Sequence, residues 1–142
     1  MRNKRKTILT ILAIIILAGA GIVVYIWNKP ARDVTKEKGI QITASAIFDS
    51  FSNNEQSANT QFLNKAIEVT GTVSDVKKNQ AGNTVVYLKS DDPIYGVNCT
   101  FKQDPGPISK GSTITFKGIC TGYLGDTTDP GDVIINEGIM IK

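Results

Sequence analysis

Residues 66–76 read AIEVTGTVSDV, and their alternation decides the fold class. Ile67, Val69, Gly71 and Val73 fall on one side of an extended chain, and Glu68, Thr70, Thr72 and Ser74 fall on the other. A period of two with β-branched residues on the apolar side is the signature of a half-buried strand. Glycine inside such a strand marks a bulge or a tight bend of the kind needed at a barrel corner.

Four more strands follow downstream. KKNQAGN (77–83) is a turn, TVVYLKS (84–90) a strand, and SDDP (90–93) the turn that closes it. YGVNCTF (95–101) places Val97, Cys99 and Phe101 on one face. After the proline-containing loop KQDPGPISKG, the stretch STITFKGICTGY (112–123) aligns Ile114, Phe116, Gly118 and Cys120. LGDTTDPGD is a turn and VIINEGIMIK (133–142) the last strand. Five short strands, with glycine inside the first and the fourth, are few for a two-sheet sandwich and suit a small closed barrel. The OB-fold, a five-stranded Greek-key barrel, has this strand count and this need for curvature. The expected class is therefore mainly β: an OB-fold-like barrel with two short helices before it.

Those helices lie at 43–63. Thr43 is a plausible N-cap, Ile47, Phe48 and Phe51 share one face, and Ala58, Phe62 and Leu63 serve the same core from a second short helix. Neither is long enough to stand alone, so both must pack on the strands.

At the N-terminus the composition changes. RNKRK (2–6) carries four positive charges, and residues 7–27 contain none. As a helix this apolar run is about 31 Å long, enough to cross the hydrocarbon core. Tyr25 and Trp27 suit the far interface, and the basic tip is expected to stay in the cytoplasm. The expected organisation is a cytoplasmic tip at 1–6, an uncleaved transmembrane anchor at 7–27, a polar linker at 28–42 and an extracytoplasmic domain at 43–142. A cleaved signal peptide is the competing reading, since AGA at 18–20 is a small-residue site. Against it, the apolar run continues through GIVVYIW, and no cysteine follows it to accept a lipid. Either reading puts the domain outside the cytoplasm, with a single span in the cell membrane in the first case.

Charge divides the same way. The whole chain is +3, yet from Gln41 onward eight lysines and no arginine stand against eleven acids, a net −3. A surface that wraps a phosphate backbone normally carries excess Lys and Arg. Nucleic acid is therefore not the expected partner, although an oligonucleotide-binding domain is the runner-up reading.

Catalytic chemistry finds little support. The chain has no histidine, so the usual base for a serine or cysteine nucleophile is missing. Cys99 and Cys120 both sit on apolar strand faces, which argues for burial rather than reactivity. In an oxidising compartment they can form one disulfide, and two buried thiols are the alternative. Asp126, Asp129 and Asp132 share one loop, but their spacing fits no EF-hand, and Asp, Gly and Pro are ordinary turn residues. No cofactor, metal site or catalytic residue is expected.

Taken in order, NE..A (54–58), K.IEVTGTV (65–73), V.C.F (97–101) and G..I.FKGICTG (111–122) resemble the bacterial tRNA-anticodon-binding-like OB-fold family. That family comprises small membrane-anchored or exported proteins, and the resemblance spans 43–142. It implies an OB barrel; its name implies nucleic-acid binding by analogy of fold only. Members often carry another cysteine in the last strand, where this chain reads INEG (135–138), so the resemblance does not fix how Cys99 and Cys120 pair. From the fold, the binding face involves the second and third barrel strands and adjoining loops, which points to Tyr87, Lys89, Tyr95 and Asn98. The expected function is a non-catalytic, membrane-anchored binding module for a protein or small ligand.

Overall fold

A long apolar helix and a small β-barrel make up the chain in a computed structural model that describes residues 2–126 and 128–141. Met1, Thr127 and Lys142, which belong to the expected tip, to the LGDTTDPGD turn and to the last strand, lie outside the described residues. The chain divides into two units, one ending at Arg32 and the other beginning at Asp33.

The first unit is helix α1, Arg2–Asn28. The segment Asn3–Asn28 is long and apolar enough to cross a membrane, and none of its apolar window is buried within the molecule. Its leucine, isoleucine and valine side chains are exposed all round. A helix that is apolar on every side has no single face to give to a protein core.

The second unit contains β1 (Ile40–Thr43), α2 (Ala44–Asn53), α3 (Glu55–Phe62), β2 (Ala66–Lys78), β3 (Thr84–Lys89), β4 (Gly96–Phe101), β5 (Thr113–Tyr123) and β6 (Val133–Met140). The strands run in the order β1-β2-β3-β4-β6-β5, and β2 also pairs with β5, which closes a five-stranded barrel. One strand does double duty. The first half of β2 pairs antiparallel with β5 from Ala66↔Ile119 to Thr72↔Thr113, and the second half pairs with β3 from Val73↔Leu88 to Lys78↔Thr84. The register slips between Val73 and Asp75, a bulge that lets one strand turn the barrel corner. β4 and β6 pair in parallel, which completes the OB arrangement expected from the alternation.

Inside the barrel lie Ile67, Val69, Val73, Val86, Leu88, Val97, Phe101, Phe116, Val133 and Ile135, all under 2% exposed. The helices close one side as expected, except that Leu63, the C-cap of α3, is only partly buried and stays outside the core. Thr43 caps α2 by accepting from the Ala46 N–H at 3.2 Å, and Asn54 caps α3 by accepting from the Ser57 N–H at 3.0 Å. Ile47, Phe48, Phe51, Ala58 and Phe62 are buried against the barrel. Gly71 lets α2 approach, because a Cβ there would stand 2.8 Å from that of Ala44.

The expected linker, 28–42, is structured over its second half. Residues 40–43 form β1, a sixth strand paired in parallel with β2 from Ile40↔Ile67 to Thr43↔Thr70. Val34 is buried with Ala66 and Ile119, and the Lys117 ammonium donates to the Glu37 carbonyl at 3.1 Å. The reason the sequence reads as a linker there is physical: the strand is four residues long and mostly exposed, too short a run for the IQIT alternation to stand out from its polar surroundings.

Candidate ligand-binding cleft

The β3–β4 hairpin builds the site. Inward-facing Val86, Leu88, Val97 and Cys99 hold it to the core, so the residues between them face outward. Tyr87 stands opposite Asn98, and Lys89 opposite Gly96. Across the other edge, Asp75 of β2 is the register partner of Tyr87.

The turn that joins the two strands is rigidly wired. The Ser90 hydroxyl donates to the Tyr95 carbonyl at 2.6 Å and accepts from the Asp92 N–H at 3.0 Å. Asp92 Oδ1 accepts from the Ile94 and Tyr95 amides, each at 2.8 Å. Asp132, from the loop before β6, accepts from the Gly96 amide at 2.9 Å and so joins the two loops. Gly96 is required there, since a Cβ would fall 2.1 Å from the Leu88 carbonyl oxygen.

Together these elements enclose an open cleft of about 660 Å3. Tyr87, Lys89 and Tyr95 line it, with Leu88 and Val97 at its floor and Ser74, Asp75, Asp91 and Asp132 around it. Three of the four expected site residues are thus brought together. Asn98 is on the same sheet face beside Tyr87 but does not line the cleft. A second groove of about 420 Å3 shares Tyr95 and Asp132 with the cleft and adds Leu124, Asp126, Asp129 and Pro130.

Electrostatically the cleft is acidic. Asp75, Asp91, Asp92 and Asp132 line it against Lys77 and Lys89. Lys77 binds Asp75 at 3.2 Å and lies 5.3 Å from the centroid of the Tyr87 ring, a cation–π contact. That ammonium, helped by the Val76 N–H, holds the Asp75 carboxyl below its ordinary value. Asp126 is likewise held low, chiefly by the Thr128 hydroxyl and then by the Thr128 and Asp129 amides. These bonds close a turn, and no group of three or more His, Cys, Asp or Glu among the described residues is arranged to hold a metal ion.

Two other aromatic residues, Tyr123 and Phe101, serve structure. Phe101 is in the core, edge-on to Phe116. Tyr123 stacks on Phe51 at 5.8 Å, and its hydroxyl accepts from the Gly131 amide at 3.1 Å, which fixes the loop bearing Asp132.

The expected disulfide does not form: Cys99 and Cys120 are free, buried thiols. Both take Ile135 as register partner, Cys99 from β4 and Cys120 from β5, so β6 lies between them. Two strand spacings are about 9–10 Å, beyond the roughly 7 Å a disulfide can span. Burial pushes the Cys99 thiol well above its ordinary value and the Cys120 thiol above it, which leaves neither nucleophilic at neutral pH.

Of the cleft residues, the sequence reading missed Lys77, Asp91 and Asp132 as parts of one site. SDDP reads as a turn, which it is, and nothing in the spacing says that Asp132 reaches the Gly96 amide. The readable signal was the β2–β3 pair on either side of the 77–83 turn, whose register places Asp75 and Tyr87 side by side.

With the barrel and its hairpin face established, residues 1–131 match the tRNA_anti-like family. The chain belongs to the tRNA_anti-like family. Among solved structures, it is similar to the crystal structure, at 2.46 Å resolution, of a lipoprotein from Klebsiella pneumoniae subsp. pneumoniae MGH 78578 to which nucleic-acid binding has been attributed. The two share 18% identity with a TM-score of 0.55, over 72% of this chain and 92% of that one. That likeness carries the barrel architecture. No curated protein matches the sequence significantly.

Proposed function

We propose that this tRNA_anti-like protein is anchored by α1 in a membrane, with its barrel on the outer side, and that the barrel binds a ligand in the β3–β4 cleft without catalysing a reaction. The observation that carries the reading is the cleft. It has a preformed apolar floor, two tyrosines and a few fixed polar groups, the usual composition of a binding site. The basic residues at 2–6 and the uncharged run that follows support the anchor and its orientation. The chain has no histidine, both thiols are buried, and the Ser74 and Ser90 hydroxyls in the cleft donate to the Tyr87 and Tyr95 carbonyls rather than to a base, which supports a binding role.

Ligand class follows from charge. A single-stranded oligonucleotide would bring phosphates to a cleft lined by four aspartates and two lysines, one of the lysines already paired with Asp75. Binding of polyanions needs the opposite balance. The second reading, an oligonucleotide-binding barrel, draws on the attribution made for the Klebsiella lipoprotein and on Lys77 poised over Tyr87.

Fluorescence anisotropy separates them. The full chain, in nanodiscs of phosphatidylcholine, is titrated with labelled single-stranded DNA and RNA at about 50 mM and about 200 mM salt, because phosphate contacts give a steep salt slope. The proposal expects no binding at the lower salt. Micromolar binding that falls sharply at the higher salt would replace it with the oligonucleotide reading.

A further inference from the structure

The cleft and the groove beside it form one surface, since Tyr95 and Asp132 line both. Along it stand Asp75, Asp91, Asp92, Asp126, Asp129 and Asp132 against only Lys77 and Lys89. Its excess of four negative charges exceeds the net −3 of the whole segment from Gln41 to Lys142, so the remaining surface is close to neutral. The acidity is local, and it surrounds the aromatic rings.

Two further features go with it. The face of Tyr87 already accepts an ammonium, that of Lys77, at 5.3 Å. Ile94 and Leu124 are 79% and 75% exposed on the two loops that flank Tyr95. A small amine would satisfy the carboxylates but leave both apolar side chains in water. A phosphate backbone or an anionic lipid would meet like charge. A chain bearing cationic and apolar side chains together fits rings, carboxylates and rim at once.

We propose that this surface takes an extended basic segment of a partner protein, with an arginine or lysine side chain entering the cleft between Tyr87 and Tyr95 and an apolar neighbour resting on Ile94 or Leu124. The inference rests on the cleft being the binding site and names its partner class. Asp91 and Asp132 supply the attraction beyond the rings, while Lys89 opposes it from the cleft wall.

The test uses the full chain in phosphatidylcholine nanodiscs and three labelled hexapeptides, Gly-Arg-Leu-Arg-Leu-Gly and its glutamine and glutamate counterparts. The arginine peptide is expected to bind, more weakly as salt rises from about 50 to about 200 mM, and the glutamate peptide not to bind. The double variant Asp91→Asn/Asp132→Asn should weaken binding about tenfold. Asparagine keeps the oxygens that accept from the Ser45 hydroxyl and the Gly96 amide, so the loops stay in place. Lys89→Glu, at an exposed position, should tighten it about threefold. Equal binding of the arginine and glutamine peptides, abolished by Tyr95→Ala, would keep the cleft as a site and overturn the basic class. Binding of none of the peptides, or binding that neither the Asp pair nor Tyr95→Ala alters, would overturn both.

Discussion

Gly118→Ala should destabilise the barrel far more than a methyl group ordinarily does. A Cβ at Gly118 would stand 2.5 Å from Ile135 Cγ2 and 2.8 Å from the Asn136 carbonyl oxygen. Carbon contacts are comfortable at about 3.5–4 Å, so about 1 Å of movement is needed. Ile135 cannot supply it, being fully buried, stiff at χ1 and flanked in register by Cys99 and Cys120. Moving Asn136 instead strains β6 where it pairs with Ile119. Overpacking of this kind costs about 1–3 kcal/mol, and removing glycine's freedom from the unfolded chain returns about 0.4–1 kcal/mol. With neither neighbour free to yield, the upper end of that cost applies, about 3 kcal/mol, and the net loss of about 2 kcal/mol should lower Tm by roughly 8–16 °C for a domain of this size. Near-UV circular dichroism of the detergent-solubilised chain reads it through Tyr87, Tyr95 and Tyr123. Emission from Trp27 reports on α1 instead. A Gly118→Ala melting point within about 2 °C of wild type would refute the packing argument.

Three further outcomes follow from other parts of the barrel. Neither thiol should react with iodoacetamide at pH 8 in the folded chain, and both should react after unfolding without any reductant; a need for reductant would mean a disulfide. Because burial raises both thiols above their ordinary value of 9.0, their contribution is fully present below that pH and is lost as pH rises beyond it, where the unfolded chain ionises first. Denaturant midpoints measured from pH 7 to 10.5 should therefore hold level and then fall, and Cys99→Ala should flatten that fall even though its cavity lowers the midpoint throughout. Thr43→Ala removes the cap on α2 and should cost about 1 kcal/mol, read as a shift in the urea midpoint, while Thr43→Ser should cost little.

Much of the barrel was legible because its strands alternate cleanly. Ile67, Val69 and Val73 of β2, and Val97, Cys99 and Phe101 of β4, are buried where a period of two puts them. Of the two glycines read as marks of curvature, Gly118 sits where the β5–β6 register slips between Lys117 and Ile119, whereas Gly71 pairs in regular register with Ile114 and admits α2 instead, the β2 bulge falling between Val73 and Asp75. β1 was hidden, since the alternation of IQIT runs for only four mostly exposed residues and the strand is held by its parallel pairing with β2. The thiols were legible as buried but not as separated, because register across β6 is a tertiary fact. At the cleft, Tyr87, Lys89 and Tyr95 could be chosen from the fold. The union of Asp132 with the Gly96 amide joins residues 36 positions apart, and local sequence says nothing of it.

The most direct measurement sets the two ligand classes against each other on one sample. The full chain in phosphatidylcholine nanodiscs is titrated at about 50 mM salt, where phosphate contacts are strongest, with the labelled arginine hexapeptide and with a labelled ten-nucleotide thymidine strand. An acidic, tyrosine-lined cleft predicts that the peptide binds and the oligonucleotide does not. Oligonucleotide binding that Lys77→Ala and Lys89→Ala weaken, with no peptide binding, would contradict the account at its centre.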